Sequence, residues 1–299
     1  MARIHLTHYS DPGCPWAYSA NPALTVLRWR YGDQLVWRHV MIGLSETPER
    51  YERLGMTPPS QAKGYRRFRA RGMPFATEPR PRLVGTGRAC RAIVATRLRS
   101  PELEFAAFRA LQSAWFTTPL VLDEDAAIAE VLSGVEGLDA DASIAAIEDP
   151  ATEEAYQADR AAARTAAGGP TEAQGRAANS DGAVRFTAPS VVFETEDGRR
   201  LEAGGFQPLE AYDVCLANLD PTLDRRPQAT DVAELLAEFQ WGLTTREVAL
   251  CMAERLEPPD DAAAEDALIE ARAAEKAIRR GVGNGAIWLP AAHAPALSS

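Results

Sequence analysis

One cysteine, set in a proline-glycine turn near the start of the chain, constrains the fold most strongly. Cys14 follows an apolar, alternating run (Ile4, Leu6, His8) that predicts a β-strand, and it precedes a helix-forming stretch at 21–30. Pro15 suits the first helical position, where its missing N–H group costs nothing, so Cys14 should lie at or beside the N-cap. Free N–H groups and the positive end of the helix dipole favour a thiolate there. The sequence therefore predicts an exposed, nucleophilic Cys14 with a lowered pKa.

In a dithiol motif the second cysteine stands three residues after the first. In this chain Ala17 occupies that position. Cys14 would then work as a single sulfur. The alternative is that Cys14 is a small buried hydrophobic residue, the commonest setting of a free cysteine. His5, His8 and His39 lie in strand-like runs and are expected to be sheet residues, with His8 as an alternative base facing Cys14.

The segment Asp11-Pro12-Gly13-Cys14-Pro15-Trp16-Ala17 resembles the active-site segment of the DsbA-like thioredoxin-fold proteins, whose commonest form is Cys-Pro-Trp-Cys. The branch it resembles includes the FrnE-type proteins, the kappa-class glutathione transferases and the 2-hydroxychromene-2-carboxylate isomerases. A second match is Thr187-Ala188-Pro189-Ser190-Val191-Val192-Phe193, where the family has a cis-proline that opens a strand opposite the cysteine. The resemblance implies a cis Ala188–Pro189 bond that faces Cys14. It also implies that the following residues contact the substrate or thiol: Pro15, Trp16, Ala188, Pro189 and Ser190.

The resemblance implies an α/β protein with a thioredoxin fold in two halves, at 1–45 and 185–221. Between the halves, residues 46–184 are expected to form a helical insertion. Amphipathic spacing predicts two of its helices at 88–99 and 101–116. The pattern of residues 222–299 predicts a winged-helix-like α+β extension. Its helices are expected at 230–241, 244–249 and 262–280, followed by a hairpin around Gly-Asn-Gly at 283–285.

The insertion carries a basic run, in which Glu78 is the one acidic residue between Lys63 and Arg99. One interpretation is a solvated surface with salt bridges to the acidic remainder of the chain. The other is an anion site over Cys14, for which arginine suits the carboxylates of a small thiol or an acidic substrate. Arg67, Arg69 and Arg88 are the candidates.

Charge and composition exclude several functions. The net charge of −10, and carboxylates in the third helix of the extension, argue against nucleic-acid binding. No apolar run reaches 18 residues, which predicts no membrane span. The four cysteines have neither metal-binding nor disulfide-framework spacing, and the N-terminus lacks a secretory signal pattern, so we expect a cytoplasmic protein with reduced thiols and no metal.

Three functions remain open. The first is a thiol–disulfide oxidoreductase that uses Cys14 as a monothiol, with no tightly bound cofactor and with glutathione or mycothiol as co-substrate. The second is a glutathione- or mycothiol-dependent transferase or isomerase of the kappa or chromene-carboxylate type. The third is a non-catalytic adaptor similar to those of the ClpXP protease, which would bind a protein partner through the extension.

Overall fold

The computed structural model describes residues 3–179 and 182–291. The chain starts with strand β1 (Ile4–Ser10), helix α1 (Pro15–Tyr31) and strand β2 (Leu35–Met41). The two strands pair in parallel, from Ile4 opposite Leu35 to Ser10 opposite Met41. Parallel neighbours need a crossover connection, and α1 provides it. The predicted strand–turn–helix around Cys14 is therefore confirmed.

The insertion is mostly helical. Its helices are α2 (Glu49–Arg53), α3 (Pro58–Phe68), α4 (Gly87–Arg99), α5 (Glu104–Thr117), α6 (Asp125–Leu132), α7 (Ala140–Ala145), α8 (Pro150–Ala163) and α9 (Pro170–Ala173). A two-stranded ribbon of β3 (Ala177–Ala178) and β4 (Arg185–Phe186) follows. The amphipathic helices predicted at 88–99 and 101–116 are confirmed as α4 and α5. Their buried faces, which include Ile93, Phe108 and Leu111, form the core of the insertion.

The second half of the sheet follows the ribbon. Strands β5 (Ser190–Thr195) and β6 (Arg200–Ala203) are antiparallel, and helix α10 (Leu209–Leu219) comes after them. The four-stranded sheet has the order β2-β1-β5-β6, with β5 antiparallel to β1. This mixed sheet, with α1 and α10 packed on it, is the thioredoxin arrangement that the resemblance implies.

The last described part of the chain is an extra α+β region. It comprises α11 (Val232–Glu238), β7 (Leu243–Thr244), α12 (Thr245–Met252), α13 (Asp261–Ala273), β8 (Ala277–Val282) and β9 (Gly285–Pro290). The strands form a sheet of order β7-β9-β8. The predicted helix at 262–280 is too long, because the chain leaves the helix after Ala273 and pairs Arg279 with Trp288 in the hairpin.

The extension packs on the thioredoxin half and on the insertion. Its buried residues, which include the fully buried Trp288, belong to one hydrophobic cluster with α1 and α10. Glu247 of α12 is fully buried and accepts hydrogen bonds from Thr25 of α1 at 2.9 Å and from Arg109 of α5 at 2.8 Å. The hairpin turn reaches the insertion, where the Asn284 side chain accepts a hydrogen bond from the backbone N–H of Phe75 at 2.7 Å.

Within the described ranges, none of the helices is both long enough and apolar enough to cross a membrane.

Candidate active site

The cysteine lies where the sequence predicts, at the start of α1. Cys14 is the N-cap residue, with extended backbone (φ −91°, ψ 113°), and Pro15 occupies the first helical turn. The Cys14 carbonyl accepts the first helical hydrogen bond, from the N–H of Tyr18 at 3.0 Å. The sulfur is thus attached to the amino-terminal end of a 17-residue helix.

Cys14 is not exposed, which corrects the prediction from sequence. Only 5% of the residue is accessible, and its thiol donates a hydrogen bond to the carbonyl oxygen of Ala188 at 3.1 Å. Burial raises the pKa of Cys14 to about 12, and the Asp11 carboxylate nearby acts in the same direction. The backbone N–H groups of Ala17 and Trp16, together with Arg185, lower the pKa by less than burial raises it. The helix start does favour the thiolate, but desolvation outweighs it, so the resting sulfur is a thiol.

The opposite wall of the site is the segment before β5. The Ala188–Pro189 peptide bond is cis, as the resemblance implies, and the contact of Ala188 O with the Cys14 sulfur shows that the two segments meet. Ser190 secures this wall, because its hydroxyl donates to Thr187 O at 2.7 Å and accepts from the N–H of Gly205 at 3.0 Å. Ala188, Pro189 and Ser190 are all buried.

A buried carboxylate holds the loop that carries Cys14. Asp11 accepts hydrogen bonds from the N–H of Gly13 at 2.8 Å, the N–H of Leu44 at 2.7 Å and the hydroxyl of Thr86 at 3.0 Å. Burial raises the pKa of Asp11, although these hydrogen bonds act against the rise. Gly13 has no room for a side chain, because a Cβ atom there would lie 2.5 Å from the Thr86 methyl carbon. Thr86, the N-cap residue of α4, thus fixes the loop that carries Cys14.

Aromatic side chains and one arginine form a cluster around Trp16, two residues after Cys14. Trp16 is 42% exposed, and its ring contacts Phe68 at 5.0 Å and Phe206 at 5.6 Å between centroids. The guanidinium of Arg71 lies 4.4 Å from the Trp16 ring centroid and 4.6 Å from that of Phe206. Tyr18, in contrast, is buried and stacks on Phe116, which agrees with a packing role. We call Trp16, Phe68, Arg71 and Phe206 the entrance cluster.

The arginines predicted from sequence lie elsewhere or are occupied. Arg88 pairs with Asp125 and with Glu148, the latter at 2.6 Å. Arg69 donates two hydrogen bonds to Phe75 O, at 3.0 and 2.8 Å, and Arg67 is exposed on α3. Salt bridges also occupy Arg82, Arg91 and Arg97 of the basic run. The salt-bridge interpretation of the run is thus confirmed for these residues and for Arg88.

The histidines do not serve the cysteine. His8 and His39 contact each other through Nδ1 atoms 3.3 Å apart, and His8 packs edge-on against Phe108. Burial, assisted by the charge of Arg28, lowers the pKa of His8 to about 3. Because side chains alternate along a strand, Tyr9 rather than His8 belongs to the buried cluster around Cys14. His8 as a base facing Cys14 is therefore wrong.

Sequence reasoning missed three residues near the thiol. Arg71 was one of many arginines, and only the fold sets it apart. Arg185 of β4 is buried close enough to lower the pKa of Cys14. Tyr51 lies within electrostatic range of Cys14 and Asp11, and its pKa is raised, chiefly by burial. None of these residues belongs to a motif in the sequence, so no local signal identifies them.

In the part of the chain that the structure describes, no group of three or more His, Cys, Asp or Glu side chains is arranged to hold a metal ion.

Comparison with known proteins gives a consistent fold. The sequence profile of the DSBA-like thioredoxin domain family matches residues 5–185. Among solved structures, a protein from Nitrosomonas europaea assigned as a protein disulfide isomerase is 19% identical, with a TM-score of 0.56 over 74% of this chain and 99% of that one. A protein from Streptomyces coelicolor assigned as a DsbA oxidoreductase is 18% identical, with a TM-score of 0.53 over 77% of this chain and 94% of the other. Comparison with curated proteins gives no match.

Proposed function

Because the chain belongs to the DSBA-like thioredoxin domain family, we propose that it is a thiol–disulfide oxidoreductase that acts as a monothiol through Cys14. A low-molecular-weight thiol, glutathione or mycothiol, would be the second reductant. The observation that carries the proposal is the contact between the Cys14 sulfur and Ala188 O beside Pro189, in a site where fully buried Ala17 stands at the position of a second sulfur.

The reaction follows from having one sulfur. Cys14 attacks the glutathione sulfur of a mixed disulfide, a bond forms between the two sulfurs, and the substrate leaves as a thiolate that takes up the proton of Cys14. A second glutathione, as its thiolate, attacks the glutathione sulfur held by Cys14. Glutathione disulfide leaves, and Cys14 recovers a proton. Over both steps, the mixed disulfide and one free glutathione become the substrate thiol and glutathione disulfide, so the free glutathione is the reductant and Cys14 is regenerated.

Activation of the thiol requires the substrate. In the resting protein the Cys14 S–H group donates to Ala188 O, and this bond, together with burial, favours the protonated sulfur. A substrate N–H that pairs with Ala188 O would compete with the thiol for the same acceptor. Binding would then remove one interaction that keeps the proton on sulfur, so the thiolate would form when a disulfide is present to receive it.

The other cysteines support release by an external thiol. Cys90 is buried beneath the loop, where its thiol contacts Asp11 at 3.7 Å, and Cys251 is buried in the extension. Cys215 lies half-buried on α10. All four cysteines are free, as expected of thiols in a reducing compartment, and we place the activity in the cytoplasm.

Mass spectrometry after treatment with glutathione disulfide and with mycothiol disulfide tests the proposal. In the unaltered protein we expect an adduct on Cys14 that excess free thiol removes. In the Cys14→Ser protein we expect no adduct at residue 14. Cys215→Ser is the matched control, since it removes the most accessible of the other thiols and should leave the Cys14 adduct intact. If the Cys14→Ser protein retains disulfide reduction, the thiol is structural and the monothiol mechanism is wrong.

A binding protein is the second candidate, favoured by the burial and raised pKa of Cys14. The entrance cluster would then be a docking surface without chemistry. A partner captured equally well by the unaltered protein and by Cys14→Ala, with no small-thiol adduct on Cys14 under any condition, would support this candidate over the enzyme.

A further inference from the structure

Arg71 connects the two walls of the thiol site. Its guanidinium stacks on Trp16, two residues after Cys14, and on Phe206, which follows the glycine whose N–H is bonded to Ser190. The positively charged guanidinium of Arg71 therefore lies between the start of α1 and the segment that is bonded to Ser190 after the cis-proline.

The position of Arg71 is fixed by packing. It ends a 3₁₀ turn (Arg69–Arg71), and Gly72 follows in the left-handed conformation with φ 89°. The two hydrogen bonds from Arg69 to Phe75 O tie this turn to the next segment. The side chain of Asn284 in the extension accepts a hydrogen bond from the backbone N–H of the same Phe75. The extension thus supports the segment that carries Arg71.

Arg71 differs in its charge environment from four other arginines of the basic run. Arg82, Arg88, Arg91 and Arg97 each pair with at least one carboxylate. Over residues 3–179 and 182–291, no carboxylate lies within salt-bridge distance of Arg71. Stacking occupies the faces of a guanidinium and leaves the N–H donors on its edge, which match a carboxylate in geometry. Arg71 is exposed, so these donors are accessible to a ligand.

We infer that Arg71 is a specificity-determining residue that binds a carboxylate of the small thiol or disulfide that reacts with Cys14. The inference rests on the proposed function and narrows it. Glutathione carries two carboxylates, whereas the cysteine carboxyl of mycothiol is tied up in an amide. The entrance cluster therefore selects glutathione over mycothiol, and glutathione disulfide over cationic disulfides such as cystamine.

Binding can be measured without chemistry. In the Cys14→Ser protein, calorimetric titration with S-methylglutathione should show binding that Arg71→Met weakens about fivefold, the upper end of the effect of one exposed ion pair. Arg71→Lys should restore part of the affinity, because it keeps the charge and loses the planar fork. Arg66→Met is the matched control, since it removes one positive charge from exposed α3 and should leave binding unchanged.

A second measurement links this site to the thiol. With Cys14 intact, Arg71→Met should slow adduct formation by glutathione disulfide about fivefold and leave the rate with cystamine unchanged or faster. Equal affinity of Arg71→Met and the parent protein for S-methylglutathione, or no binding by the parent at millimolar ligand, would overturn the inference. Failure of Cys14 to form any adduct, with S-methylglutathione still bound through Arg71, would instead refute the monothiol chemistry alone.

Discussion

At pH 7 we expect Cys14 to react with 2,2′-dithiodipyridine about a hundredfold more slowly than a free cysteine does. Its pKa of about 12 lies roughly 3.5 units above the usual value of about 8.5, so its thiolate fraction is about 3,000-fold smaller. The more basic thiolate is a better nucleophile, and a Brønsted coefficient of about 0.4–0.5 recovers nearly half of this deficit on a logarithmic scale. The remainder is about two orders of magnitude, before any steric barrier from the buried position.

The assay is peptide mapping by mass spectrometry over a series of pH values. Cys215→Ser simplifies the reaction by removing a half-buried competitor. The logarithm of the Cys14 rate constant should rise by about one unit per pH unit up to about pH 10, with no plateau, because the thiolate fraction is still far from saturation. A plateau with its midpoint below about pH 9, or a rate at pH 7 equal to that of free cysteine, would refute the argument that burial outweighs the helix start.

Three further predictions concern the fold and the single sulfur. Between about pH 9 and about pH 11, urea unfolding should show the stability falling about 1.4 kcal/mol per pH unit more steeply in the unaltered protein than in Cys14→Ala. The unfolded thiol loses its proton near pH 8.5 while the folded thiol keeps it to about pH 12, so parallel slopes would contradict the raised pKa. Glu247→Ala should lower the free energy of unfolding by about 3–5 kcal/mol, since it leaves the buried Arg109 unpaired, and adding Arg109→Met should recover part of the loss in the same assay. Ala17→Cys should form a disulfide with Cys14 one helical turn away, seen as two fewer free thiols after oxidation; an unchanged thiol count would show that the site cannot accommodate a second sulfur.

The strongest expectations from sequence were the local ones. The fixed φ angle of Pro15 suits the first turn of a helix, and this allowed Cys14 to be placed at the N-cap from sequence. The Gly-Asn-Gly turn at 283–285 allowed the hairpin to be predicted, because such turns match the twist of paired strands. The end of α13 was missed, since no proline or glycine lies between Asp261 and Gly281 and the pairing of Arg279 with Trp288 depends on the sheet.

The chemical state of the site depends on contacts between distant parts of the chain. Cys14 looks exposed and acidic from its neighbours in sequence, yet Ala188, 174 residues away, accepts its hydrogen bond and helps to bury it. In the sequence, Arg88 and Arg71 are two arginines of the same basic run. In the structure, Asp125 forms an ion pair with Arg88, whereas the guanidinium of Arg71 stacks on an aromatic ring. The sequence by itself determined the turn, the helix start and the single sulfur, because these depend on residues within a few positions of each other. Burial, charge pairing and the choice of arginine were decided by the tertiary structure, because desolvation and Coulomb energies depend on what packs against a group rather than on what precedes it in the chain.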